Sequence, residues 1–257
     1  MTPFIQKLSF EKEFVSEVDS TNAELIQRLQ KQDLNEGFLM QAGFQTGGKG
    51  QGGTVWESEK GKNLLFSFVL CPTFLEIAKQ FYITIITSLA LVDTVRMLVF
   101  DDSVKIKWPN DIYIEDKKIA GVLIENAIQG EKFEWVVVGI GLNVNQKRFQ
   151  SDAPNPTSLI HFEEVEFSEM DIPLEKVLSL FETQFARRYA QLQSGDFEGL
   201  KYDYLASLYR YKEWRNYRSN NQEFRGRILG IDEYGFLRME TPESEKTFDV
   251  KEVAYLI

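Results

Sequence analysis

Four short stretches of this chain carry side chains able to handle anions. The first, "FQTGGKGQGGTVWES" over residues 44–58, is rich in glycine and holds Lys49 and Trp56. Glycine loses much conformational freedom on ordering, so such a loop is compensated by positive-φ turns or by a ligand needing backbone at close range. A phosphate loop of the common nucleoside-triphosphatase kind needs Ser or Thr after its lysine, and Lys49 is followed by Gly50. A dinucleotide fingerprint needs a helix next, whereas "TVWESEKGKN" leads into another strand-like run. What remains is a plain glycine hairpin loop, or a cradle in which Lys49 meets an anion and the Trp56 indole stacks on a base.

The second stretch is "KWPND", residues 107–111. Pro109 fixes a turn and pushes the residue before it toward extended geometry. Asn110 and Asp111 then head a strand, where an amide and a carboxylate suit a phosphate-bound Mg²⁺, or simply form an Asn-Asp turn. In the third, "DKKIAGVLIE", Lys117 and Lys118 point to opposite faces of a strand, so one of them enters the active face beside Gly121. Lys117 is read as the solvated one. The fourth, "VVVGIGLNVN", is a buried strand ending in glycines and Asn143, and by itself reads as packing.

The elements around these stretches predict a mixed α+β fold, a largely antiparallel sheet with helices packed on it. "SEVDSTNAELIQRLQK" offers Asp19, Ser20 or Thr21 as a helix cap, with Glu24 completing a capping box on Thr21. "FLMQAGFQ" and "NLLFSFVL" read as strands flanking the glycine loop, and a long helix is expected over about residues 77–99. "EDKK" and "QGEK" are hairpin-turn chemistry joining antiparallel strands. Helices are expected over about residues 173–208, and "DEYG" and "PESEK" then join short strands of a small C-terminal β unit.

Composition narrows the function classes. The formal charge of −10 and a pI near 4.9 disfavour tracking a nucleic-acid backbone. One cysteine, Cys71, excludes an internal disulfide framework and fits a reducing, cytoplasmic setting. The lone histidine, His161, has no second metal-type residue at helical spacing and reads as a surface or capping residue. The most apolar stretch, residues 81–100, is interrupted by Asp93 and Arg96 and reads as a buried helix, not a membrane span.

Taken together, "STN" at residues 20–22, "QTGGKGQGGTVW", "KWPNDIYI", "KKIAGVLIE" and "GIGLNVN" resemble, in order and approximate spacing, the catalytic domain of biotin protein ligases. The resemblance runs from about residue 19 to 145 and on to the tail, which is similar to that family's SH3-like β-barrel. It implies a catalytic domain over residues 1–215 and an SH3-like domain over 216–257. The implied activity joins biotin and ATP, with Mg²⁺, into biotinyl-5′-AMP and pyrophosphate. The biotinyl group then passes to one lysine of a biotin carboxyl carrier domain of an acyl-CoA carboxylase. Neither nucleic acid nor membrane takes part, and a monomer or homodimer is expected.

By the same resemblance, Lys118, Lys49 and Gln51 stand at the reacting centre. Ser20, Thr21, Asn22 and Gln45 hold biotin's ureido end. Gly48, Lys49, Gly50 and Gln51 close over it, Lys118 meets its carboxylate, and Gly121 leaves room for the fused rings. Lys49, Trp56, Asn110, Asp111, Lys118 and Asn143 order the ATP, with Asp111 on its Mg²⁺. An arginine is expected where this chain has Gln51, which implies looser retention of the adenylate without changing the reaction. Some members carry an N-terminal DNA-binding domain; fewer than twenty residues precede "DSTN", so the ligase-only kind is expected. Lipoate ligases share the architecture and the adenylate chemistry and are the alternative. A non-catalytic biotin- or nucleotide-binding module is the more distant one.

Overall fold

A computed structural model describes residues 8–50, 53–150, 155–162 and 171–256. Its centre is a seven-stranded sheet in the order β1-β2-β3-β7-β6-β5-β4. The strands are β1 (Glu11–Val15), β2 (Phe38–Ala42), β3 (Leu64–Leu70), β4 (Val104–Lys107), β5 (Asp111–Ile114), β6 (Lys117–Gln129) and β7 (Lys132–Leu142). Only β1 and β2 run parallel; every other neighbouring pair is antiparallel. The expected turns hold: residues 115–116 join β5 to β6, and residues 130–131 join β6 to β7. Glu115 and Gly130 take the positive φ that such tight hairpins require.

The alternation of side chains on the central strands separates a core face from a second face. On β3, Leu64, Phe66, Phe68 and Leu70 join the main core, as do Val136, Val138, Ile140 and Leu142 of β7. Against them pack α2 (Phe81–Val99) and α3 (Leu174–Gln193), the latter through Phe181 and Phe185. Each such ring removed from water contributes about 1.5–3 kcal/mol. Helix α2 with its leading turn, Ile77–Val99, is long and apolar enough to cross a membrane, yet 72% of its apolar window is buried inside the fold. It is the core helix expected for that stretch.

The second face carries Ser67, Val69, Val137, Gly139 and Gly141, and α1 (Thr21–Leu29) covers part of it through Leu25. Ser20, not Thr21, caps α1, its hydroxyl accepting from Ala23 N at 3.5 Å. That register places Glu24 one residue beyond the capping-box position. Glu24 pairs instead with Arg28, which also forks onto both carboxylate oxygens of Glu13 on β1.

After α3 and α4 (Phe197–Ala206) the chain forms a five-stranded antiparallel sheet, the SH3-like unit, in the order β11-β10-β9-β8-β12. These are β8 (Trp214–Ser219), β9 (Gln222–Ile231), β10 (Leu237–Glu240), β11 (Glu245–Phe248) and β12 (Ala254–Tyr255). Its seat is the "KWP" segment. Trp108 Nε1 donates to Gly235 O at 3.0 Å, and the Phe81 ring fills the space where a Gly235 side chain would stand. Lys107 Nζ lies 5.2 Å from the ring centroids of both Tyr113 and Tyr255, while Tyr204 of α4, outside this unit, donates to Pro109 O at 2.6 Å. His161 ends a short 3-10 turn, where its Nδ1 accepts from Ser158 N, as a capping histidine should. Cys71 is half-buried just after β3, and burial pushes its thiol pKa up, which disfavours the reactive thiolate.

Candidate active site

The second face of the sheet floors a cavity of about 570 Å³. At its deep end α1 presents three consecutive side chains, all almost fully buried: Ser20, Thr21 and Asn22. Thr21 donates through both its N and its Oγ1 to Gln45 Oε1, at 2.7 and 3.0 Å. Its hydroxyl also lies 2.6 Å from Ser67 Oγ, which donates to Asn22 Oδ1 at 2.6 Å. Asn22 Nδ2 in turn donates to Leu123 O and to Glu125 Oε2. The result is a rigid polar lattice in an otherwise apolar wall, the arrangement that orients a small ligand with several donors and acceptors.

Close approach explains the glycines of the floor. A side chain on Gly139 would stand 2.0 Å from Asn22 Oδ1, so only glycine lets α1 seat its amide there. Gly141 and Gly121 are cross-strand partners, and the Trp56 indole lies on both. A Cβ on Gly141 would come within 2.4 Å of that ring, and one on Gly121 within 2.9 Å. Gly121 therefore accommodates the indole, where room for biotin's fused rings was expected. The Trp56 indole nitrogen is buried without a hydrogen-bond partner.

Lys118 reaches this face because β6 is bulged. Ile112 pairs with Ala120 but Tyr113 with Lys118, leaving Ile119 as the extra residue. The bulge reverses the alternation, so Lys118 and Gly121, three apart, share one side of the sheet. A Cβ on Gly121 would lie 3.5 Å from Lys118 Nζ, which pairs with Asp111 Oδ1 at 2.7 Å. Lys118 Nζ also lies 5.6 Å from the centroid of the Trp56 ring. Lys117 is exposed.

Asn143 follows β7 and lines the cavity while 3% exposed. Its amide nitrogen donates to Thr157 O at 3.0 Å, and its Oδ1 is buried with no partner. An unpaired buried acceptor costs about 1–3 kcal/mol unless a ligand supplies the donor.

Of the other expected site residues, Gln45, Lys49, Gly50 and Asp111 line the cavity. Gly50 N closes the glycine loop by donating to Thr54 O. Two expected residues are not part of the cavity lining. Asn110 is buried away from the cavity and donates to Val122 O at 3.1 Å, a strut between β5 and β6. Gly48 does not line it either; its carbonyl accepts from Trp56 N at 2.9 Å and so places the indole. Gln51 lies outside the described residues. Sequence reasoning missed Ser67, Gly139 and Glu125. The signal for Ser67 was available: a lone hydroxyl in the apolar run "LLFSFVL".

Among the described residues, no group of three or more His, Cys, Asp or Glu is arranged to hold an ion. Asp111 offers one carboxylate, already shared with Lys118. That donor set suits a magnesium ion carried in on nucleotide phosphates, with Asp111 as a single protein ligand.

The cavity therefore has a rigid hydrogen-bonding end, a lysine at mid-floor and an unpaired acceptor beyond it. Comparison with known proteins gives the class. Residues 14–143 match the biotin/lipoate A/B protein ligase family and residues 216–253 match the biotin protein ligase C-terminal domain, and the chain belongs to this family. It is 31% identical over 232 residues to the bifunctional ligase/repressor BirA of Bacillus spizizenii, covering 90% of this chain and 70% of the relative. It is also 29% identical to the biotin–[acetyl-CoA-carboxylase] ligase of Paracoccus denitrificans, covering 94% of this chain and 99% of that one. Among solved structures, the biotin protein ligase of Aquifex aeolicus in complex with biotin and ATP superposes with a TM-score of 0.75 at 25% identity. That match covers 95% of this chain and 97% of the other.

Proposed function

We propose that this protein is a biotin protein ligase acting on a carrier domain of an acyl-CoA carboxylase. A biotin carboxylate oxygen attacks the α-phosphorus of ATP, the bond from that phosphorus to the bridging oxygen breaks, and pyrophosphate leaves. The amine of one carrier lysine then attacks the acyl carbon of biotinyl-5′-AMP. The acyl–oxygen bond breaks, AMP leaves, and the amine loses its proton as the amide forms.

The observation that carries this reading is the order of groups along the floor. Asn22 sits over Gly139, the lysine-flanked Gly121–Gly141 pair follows, and Asn143 lies beyond. The Ser20–Asn22 lattice with Gln45 suits a cyclic urea, which offers both N–H donors and a carbonyl. Lys118 then meets the carboxylate and the α-phosphate, where two anions must approach each other. Asn143 Oδ1 takes an exocyclic N–H of adenine, and Trp56 offers its ring to the base. Lys49 and Gly50 close the loop over the ligands. Asp111 would hold the magnesium that comes in with ATP, and that ion would offset phosphate charge. ATP and a carboxylase carrier as substrates are compatible with a cytoplasmic reaction, and a monomer or homodimer serves it.

Pyrophosphate exchange into ATP tests the reading, run with biotin, with lipoate and with neither. Exchange with biotin alone is expected, followed by labelling of one lysine on a biotin carboxyl carrier domain. Exchange with lipoate alone would transfer the protein to the lipoate side of the family. No exchange from folded protein would leave a binding module.

A further inference from the structure

Lys118 is held in place by a segment outside the seven strands. β7 ends at Leu142, opposite Ala120, which leaves Lys118 beyond its reach. Residues 155–157 take over that edge of β6, with Pro156 beside Lys118 in the parallel sense. Lys118 N donates to Asn155 O and Thr157 N donates to Lys118 O, both at 2.8 Å. The same segment reaches Asn143. Thr157 O accepts from Asn143 Nδ2 at 3.0 Å, and Leu159 N donates to Asn143 O at 3.2 Å. Asn143 N returns to the bulged residue, donating to Ile119 O at 2.9 Å. Lys118, Ile119, Asn143 and Thr157 thus close a ring of hydrogen bonds, and Pro156 within it lines the cavity.

The ring decides which end of the Asn143 amide is left for a ligand. A carbonyl oxygen only accepts, so Thr157 O holds the amide nitrogen and leaves Oδ1, buried and unpaired. That oxygen suits the exocyclic amine of adenine and repels the carbonyl oxygen that guanine carries at the same ring position. With the amide turned round, the preference would be reversed. The segment also begins on a conformation that few residues adopt. Asn155 has a φ of +48°, left-handed backbone that asparagine and glycine tolerate and a β-branched residue does not. Its Nδ2 donates to Asp116 O at 3.4 Å, while Thr157 and Leu159 are buried and anchor the far end.

We propose that residues 155–157 form a positioning splint, whose Thr157 carbonyl makes Asn143 select adenine over guanine while its backbone holds Lys118 at the reacting anions. The proposal rests on the ATP-dependent reading above. Base selectivity then depends on a main-chain group that touches no ligand, and on the left-handed turn at Asn155 that brings it into place. If that turn is lost, Thr157 O withdraws from Asn143 Nδ2, and the amide is free to offer either end.

The test compares Asn155→Val, Asn155→Ala and Asn155→Gly in the full chain. Titration calorimetry with magnesium and the β,γ-imido analogues of ATP and GTP gives the base preference, and biotin-dependent pyrophosphate exchange is run beside it. The parent should prefer the adenine analogue by about a hundredfold. Asn155→Val should cut that preference about tenfold and slow exchange with ATP, while the Kd for biotin stays within about twofold. A merely structural lesion would weaken both nucleotides alike and leave the preference intact. Asn155→Ala, a milder misfit, should show a smaller fall of the same sign and keeps the test open if valine prevents folding. Asn155→Gly, which accepts the positive φ, should match the parent within about twofold. An unchanged preference in whichever of the valine and alanine variants folds overturns the proposal. So does a glycine variant as impaired as they are, or a parent that binds the two analogues equally or not at all. The calorimetric preference needs neither biotin nor turnover, so it reads the splint even if biotin-dependent exchange fails and the ligase reading falls.

Discussion

Lys118 Nζ lies 2.7 Å from Asp111 Oδ1, with the two side chains 23% and 27% exposed. The carboxylate proposed for the nucleotide's metal thus also aims the cation proposed for the reacting anions. Lys118→Ala should lower biotin-dependent pyrophosphate exchange by roughly 10²–10³, the usual loss when a transition-state charge partner is removed. Lys117→Ala should leave the rate within about twofold, since that side chain faces solvent. Equal losses from the two would mean that the bulge does not select the face.

That bulge shows how far the sequence could be read. Strict alternation along "KKIAG" puts Lys117, not Lys118, on the side of Gly121. The reading of Lys117 as the solvated residue, and the resemblance to a known family, favoured Lys118, and the extra residue Ile119 supplies the physical reason. A bulge is a property of the pairing between two strands, here the β5–β6 hairpin, so the propensities of β6 alone do not announce it. The sheet, its hairpins and the buried α2 were legible, because period and turn chemistry are local properties. Partnerships across the chain were not: Trp56 on the glycine pair and "KWP" as the seat of the tail involve residues far apart in sequence, and Asn110 as a strut depends on how β5 pairs with β6.

Gly139→Ala should weaken biotin binding without unfolding the protein. Its methyl would meet Asn22 Oδ1 at 2.0 Å, and Asn22 is pinned by Ser67, Leu123 O and Glu125. Yielding would break at least one of these hydrogen bonds and displace the lattice. The loss should be about tenfold or more in Kd for biotin. Titration calorimetry with biotin alone reads it, and an unchanged Kd would show that the lattice does not touch biotin.

Trp56 should report on the nucleotide. Its ring lies on Gly121 and Gly141 beneath Lys118, within the cavity. A base that stacks on the indole, or takes its ground above the glycines, changes the ring's surroundings. Emission should therefore shift on adding ATP, and the shift should vanish in Trp56→Phe while exchange activity largely survives. Trp56→Ala should raise the KM for ATP by about five- to tenfold, since stacking on an aromatic ring is worth ~1–3 kcal/mol per base. A shift that persists in Trp56→Phe would assign it to another tryptophan.

The last prediction concerns Lys107, at the junction of the two units. Two opposing effects act on its ammonium. The faces of Tyr113 and Tyr255, each 5.2 Å away, favour the charge by about 0.5–2 kcal/mol apiece. Burial disfavours it, Lys118 and Arg210 add to that, and Asp111 opposes them; the net effect holds the pKa below the usual lysine value. A lowered folded pKa means that the unfolded chain binds more protons over the window between the two pKa values, so stability rises with pH there. Below the folded pKa the unfavourable burial of charge is present in full. It is relieved as pH climbs through that pKa toward the unfolded value near 10.4. The burial-raised tyrosines, among them Tyr209 at about 12, pull stability the other way at alkaline pH. They do so in parent and variant alike, and therefore drop out of the difference. The stability of the parent relative to Lys107→Met should accordingly climb as pH rises through the folded pKa toward the unfolded value. Urea midpoints for both proteins across that range measure it. A difference that falls with pH would mean that the aromatic faces outweigh burial, and that Lys107 clamps the SH3-like unit as a full cation.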